Sequence, residues 1–149
     1  MANGVPIGAV WAVSAVAEAF KPGDHGSTFA GQPLAASAAR ETLRVLEEIK
    51  APMLAKQRGA EMIEELSKID GVDSVRGSGL LLAVEIEKES LANGDARDLA
   101  QACLKAGLVV NAVTSTALRL APPLTISSEE IIEGASMLEK VLNDQRETA

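Results

Sequence analysis

The sequence holds one cysteine, one histidine and no tyrosine, and its only aromatics are Trp11, Phe20 and Phe29. Each scarcity excludes something. Cys103 has no partner in the chain, so a disulfide framework is out and a reducing, cytoplasmic setting is expected. With a single Cys and a single His, too few soft ligands exist for a structural zinc site, and no metal site is expected. Positive charge is also short, with 14 basic against 21 acidic residues and a net charge of −7. No basic cluster longer than a pair occurs, which argues against nucleic acid or an anionic membrane as partner. No uncharged apolar run reaches the length of a bilayer span, and the opening MANGVPIGAV lacks the basic region of a signal peptide. There is no P-loop, no dinucleotide-binding glycine fingerprint and no zincin motif.

What remains is a chain of 149 residues, enough for one ordinary core. That core must be built from Ala, Leu, Val, Ile and Met, as in helix-on-sheet layers. Residues 1–31 are rich in Gly and hold every aromatic. They predict a strand near Ile7–Val13, a short helix near Ser14–Phe20, and then loop. From Gln32 a helical spacing begins with Leu34, Ala38, Val45, Leu46 and Ile49. Pro33 sits where a first-turn proline is tolerated, and this helix should stop before Pro52. A second helix carries Leu54, Met62, Leu66 and Ile69 on one face and ends at Asp70-Gly71.

Two strands follow, VDSVRGSG and LLLAVEIE, with Gly77 and Gly79 marking a bend or bulge. After the loop ESLANGD, a helix near Ala96–Ala106 places Cys103 on an apolar stripe, where it reads as a small core residue. LVVNAV and ALRLAP supply two more short strands. Ser127 and Glu130 form a capping box for a last helix, which turns Ile131, Ala135, Leu138 and Leu142 inward. The polar tail after Asn143 is expected to fray. From Ala51 on, the order predicts an α+β layer, a largely antiparallel sheet with helices on one face.

Candidate chemistry is sparse. His25 lies in a glycine-rich loop without a nucleophile system and reads as an exposed or loop-bracing residue rather than a general base. Glu85, Glu87 and Glu89 alternate as a solvated face would. In HGSTFAGQP, Ser27 and Thr28 are adjacent hydroxyls between glycines, which suits either turn chemistry or close approach to an anion. Arg119, set among apolar neighbours in LRLAPPL, must either pair with a carboxylate of the protein or offer its planar fork to a carboxylate ligand.

Four blocks, NGVPIGA, PGDHGSTFAGQPLA, VRGSGLLLAVEI and LRLAPPLTISSEEI, resemble in order the C-terminal part of the class III, pyridoxal-phosphate-dependent aminotransferases. Within that class the chain is most similar to the branch that takes acetylornithine in arginine biosynthesis. The likeness spans the whole chain. It implies the C-terminal portion of a fold-type I transferase, with residues 1–31 ending the large cofactor-binding domain, 32–50 a linking helix, and 51–149 the small domain. It further implies that Thr28 reaches the phosphate of a pyridoxal phosphate held mainly by the other subunit of a homodimer. Ser27 would lie against the substrate, and Arg119 would receive a carboxylate of glutamate or 2-oxoglutarate.

The resemblance also marks what is missing. The family's cofactor-linking lysine lies just upstream of the Asn-Gly that begins the first block, and neither Lys21 nor Lys50 matches it. The aspartate at the pyridine nitrogen, the stacking aromatic and the main phosphate loop have no counterpart either. The chain is therefore expected to be a fragment without catalytic residues of its own, inactive alone and not binding the cofactor alone. The rival expectation is a non-catalytic α+β module that binds a small anion or a protein partner.

Overall fold

The structure is a computed structural model and describes residues 1–24 and 26–148. It divides into two compact units, Met1–Ala51 and Pro52–Ala149.

The first unit is mostly loop with two helices, α1 (Ser14–Ala17) and α2 (Pro33–Glu48). The strand expected near Ile7–Val13 does not form, because an apolar run becomes a strand only when a partner strand satisfies its backbone, and none pairs with it among the described residues. Helix α1 is shorter than expected and ends at Ala17. Helix α2 begins with Pro33 at its first turn, where no amide hydrogen is needed. Ala35 and Ala39 are its buried positions, while Arg44 bridges Glu41 and Glu48 on its exposed side. Trp11 is 88% exposed and Phe29 76%.

The second unit is an α+β layer. Helix α3 (Ala51–Leu66) leads through a turn at Gly71 into β1 (Val72–Ser78) and β2 (Leu81–Ile86). A 3-10 turn at Lys88–Ser90 precedes α4 (Ala96–Lys105), β3 (Asn111–Ala112), β4 (Ala117–Leu120) and α5 (Ser128–Thr148). The strand order is β1-β2-β4-β3, and every neighbouring pair is antiparallel. Side chains alternate across a strand, so Leu82, Val84, Ile86 and Leu118 face inward and are almost fully buried. They share one core with Met62 and Leu66 of α3, Leu99 and Cys103 of α4, and Leu138 and Leu142 of α5.

Local chemistry explains the boundaries. The β1–β2 hairpin has a two-residue loop, since Ser78 pairs Leu81, and its first loop residue is Gly79 at φ 56°, as a type II′ turn favours. The expected bulge lies elsewhere: pairing slips between Val72 and Ser74, not at the glycines. The Asp95 carboxylate caps α4 by accepting from the Arg97 amide at 2.9 Å. Ser127 and Glu130 make the reciprocal capping box, with distances of 3.2 and 2.8 Å. Contrary to the expected fraying, α5 stays helical to Thr148. Its last turns bury Val141 and Leu142, and Arg146 is ion-paired with Asp70 in the turn after α3.

Candidate functional site

The loop of Ser27 and Thr28 is a tight turn in the first unit. The Ala30 amide donates to the Ser27 carbonyl at 3.3 Å, and the Phe29 amide donates to Ser27 Oγ at 3.3 Å. The Ser27 hydroxyl thus helps to build the turn, as such side chains commonly do. Thr28 sits at the tip, exposed. Among the described residues its hydroxyl has no hydrogen-bond partner, so it is available to a ligand. His25 lies outside the described residues. Lys21 is occupied locally, its Nζ donating to the Glu18 carbonyl at 3.3 Å.

Arg119 belongs to the second unit, in β4, at a position directed away from the helices. It is exposed while its neighbour Leu118 is fully buried. The sequence left open whether this arginine pairs with a carboxylate of the protein. Among the described residues it does not: no ion pair or hydrogen bond holds the Arg119 side chain. The face around it is defined by register. Arg119 stands opposite Ala83 of β2 and Asn111 of β3, and Ala83 in turn stands opposite Arg76 of β1.

Glu85 corrects a sequence expectation. It is not simply part of a solvated face: only 23% of its side chain is exposed. Oε1 accepts from Arg76 Nη2 at 2.7 Å, and Oε2 accepts from Thr116 Oγ1 at 3.2 Å. Neither Arg76 nor Thr116 stands out in the sequence, because their link to Glu85 depends on strand register. For Arg76 the two-residue hairpin loop at Gly79 is the signal that reveals the link, since it fixes which residues of β1 and β2 face one another.

A second polar cluster ties α3 to the start of α5. Arg58 Nη1 lies 2.6 Å from Glu61 Oε2 and also bonds the Ser128 hydroxyl; Ser128 Oγ is 3.0 Å from the same Glu61 oxygen. The hydrogen bond from Arg58 holds the Glu61 carboxyl below its ordinary range. Cys103 is fully buried, and burial pushes its thiol up to about 11, which leaves it protonated and inert at neutral pH. A cavity of about 360 Å³ among Met62, Leu66, Leu120, Ile131 and Ala135 is apolar and belongs to the helix side of the sheet.

Comparison with known proteins gives this geometry a context. The family described as Aminotransferase class-III matches residues 1–142. The chain belongs to the class III aminotransferases. An acetylornithine aminotransferase of Methanothermobacter thermautotrophicus is 37% identical over 97% of this chain and 36% of its own length. An ornithine aminotransferase of Staphylococcus carnosus is 41% identical over 93% of this chain and 34% of its own. Among solved structures, an ornithine aminotransferase of Plasmodium yoelii is similar with a TM-score of 0.75 and 34% identity, over 87% of this chain and 35% of that one. An acetylornithine aminotransferase of Elizabethkingia anophelis matches with a TM-score of 0.71 and 32% identity, over 87% and 33%. The chain therefore spans about a third of the length of these relatives. Class III aminotransferases are pyridoxal-phosphate enzymes. Of this chain's own residues, the exposed Thr28 hydroxyl, without a partner among the described residues, is chemically suited to donate to a phosphate oxygen.

Proposed function

We propose that this chain is the C-terminal part of an aminotransferase that moves the amino group of N-acetylornithine to 2-oxoglutarate, giving N-acetylglutamate semialdehyde and glutamate, in arginine biosynthesis. The carrying observation is Arg119, an exposed arginine between apolar residues of a central strand, which has no carboxylate of the protein to pair with among the described residues. A planar guanidinium so placed binds a substrate carboxylate in two parallel hydrogen bonds.

In this reading residues 1–31 close the large cofactor-binding domain, 32–50 form the linking helix and 51–149 the small domain. The enzyme is a cytoplasmic homodimer. Thr28 donates a hydrogen bond to the phosphate of a pyridoxal phosphate bound mainly by the other subunit, and Ser27 lies against the substrate. Bound pyridoxal phosphate supplies the electron sink that makes the hydrogen on the amine-bearing carbon labile. Arg119 contributes orientation: with the carboxylate fixed, that carbon is held for proton transfer by a lysine outside this chain. The chain alone is inactive because no lysine of its own matches that role.

A second reading, ornithine itself as amino donor, is favoured by the 41% identity to the Staphylococcus carnosus ornithine aminotransferase. The test is the relative kcat/KM of N-acetylornithine, ornithine and succinylornithine with 2-oxoglutarate, in an enzyme carrying this chain together with the preceding region its relatives possess. N-acetylornithine is expected to lead. A clear preference for ornithine selects the second reading, and no transamination of any of them overturns both.

A further inference from the structure

The sheet face around Arg119 poses a problem of competition. Glu85 stands opposite Ser74 on β1 and Ala117 on β4, while the next outward position of β2, Ala83, stands opposite Arg76 and Arg119. Glu85 is therefore the diagonal neighbour of both arginines. Diagonal positions lie about 7–8 Å apart at the backbone, within reach of long side chains. One carboxylate thus has two guanidinium groups to choose from, one on each adjacent strand.

The structure records the choice. Glu85 Oε1 takes Arg76 Nη2 at 2.7 Å, and Thr116 Oγ1 holds Oε2 at 3.2 Å. The Thr116 loop is itself braced, since Thr114 Oγ1 accepts from the amides of Thr116 and Ala117 at 3.2 and 2.9 Å, and the Ile86 amide donates to the Thr116 carbonyl at 2.8 Å. Both carboxylate oxygens are engaged, and among the described residues Glu85 makes no ion pair with Arg119.

We infer that Arg76 is a positioning residue for the substrate carboxylate: by holding Glu85, it keeps the Arg119 guanidinium open. The inference rests on the reading that Arg119 receives that carboxylate. An exposed ion pair such as Arg76–Glu85 adds little to folding stability. Its value here is different. A half-buried carboxylate tethered next to Arg119 competes intramolecularly, at an effective concentration that a free substrate must overcome. Removing Arg76 releases Glu85 to its other diagonal neighbour and lowers apparent substrate affinity without touching any group that handles the proton.

The experiment measures KM and kcat for 2-oxoglutarate in the enzyme carrying this chain together with the preceding region. Arg76→Met is expected to raise KM about two- to fivefold, the size of competition from one exposed ion pair, with kcat unchanged. Arg76→Met combined with Glu85→Gln is expected to restore KM. Thr116→Val, which frees the other Glu85 oxygen, provides an independent route: a smaller rise, also removed by Glu85→Gln. An unchanged KM in both Arg76→Met and Thr116→Val, or a raised KM that Glu85→Gln fails to restore, overturns the inference. Arg119→Ala is measured alongside. If that change leaves KM unaltered, the carboxylate reading of Arg119 itself fails; if it raises KM while the Arg76 variant does not, only the positioning role falls.

Discussion

Arg76 and Arg119 stand on either side of Ala83 on one face of the sheet, and Arg76 is the one held by Glu85. The asymmetry gives the face its chemical character. One guanidinium is neutralised by a carboxylate of the protein, and the other has no partner among the described residues, in the middle of a sheet whose far side is packed against helices. Side-chain alternation produces that division without special devices: Leu118 and Leu120 anchor β4 inward, and Arg119 between them has only the outer face to occupy.

Two helical glycines are expected to respond to alanine with opposite signs. At Gly59 of α3 an added Cβ would lie 2.1 Å from the Gly79 carbonyl oxygen, a backbone atom of the β1–β2 hairpin that cannot step aside cheaply. Gly59→Ala should destabilise the chain by about 1–3 kcal/mol, as overpacking does. At Gly134 of α5 the nearest atom to an added Cβ is Leu108 Cδ1 at 3.9 Å, an ordinary contact. Gly134→Ala should stabilise by about 0.5–1 kcal/mol through helix propensity. Urea unfolding of both variants checks the pair.

Cys103 should be silent toward thiol reagents in the folded chain at pH 8 and react once the chain is unfolded. Burial raises its folded pKa from an ordinary 9.0 to about 11. Between these values the unfolded state loses the proton first, so it binds fewer protons than the native state and stability falls as pH rises through that window. Cys103→Ala should flatten this alkaline decline in the urea midpoint, at some general cost for the cavity it leaves.

Acid should act from the other side. The Glu61 carboxyl is held low by its hydrogen bond from Arg58, and Asp95 by hydrogen bonds from the side chain and amide of Arg97. Groups with lowered folded pKa values contribute stability above their ordinary values, 4.5 and 3.8, and lose it as pH falls toward the folded ones. The urea midpoint should therefore decline below about pH 4.5, and Glu61→Gln should make that decline shallower.

Much of the fold was legible in the sequence because its signals are local. The capping box at Ser127 and Glu130, the first-turn proline of α2 and the apolar stripe through Cys103 depend on residues a few positions apart. The failures were non-local. Ile7–Val13 has the composition of a strand but no partner strand among the described residues. The end of α5 has the composition of a fraying tail, yet Arg146 meets Asp70, 76 positions away in sequence. Glu85 alternates like a solvent-facing residue until register brings Arg76 and Thr116 to it. Arg119 stands out because charge among apolar neighbours is visible in one dimension; which of its two possible partners it takes is not.

The most direct test of the central claim is pyridoxal phosphate absorbance together with transamination of 2-oxoglutarate, measured for this chain alone and after mixing with the preceding region found in its relatives. The chain alone should show the spectrum of free cofactor and no turnover, and the mixture a shifted spectrum with turnover, lost or weakened by Arg119→Ala. A chain that by itself links the cofactor through Lys21 or Lys50 and transaminates would contradict it.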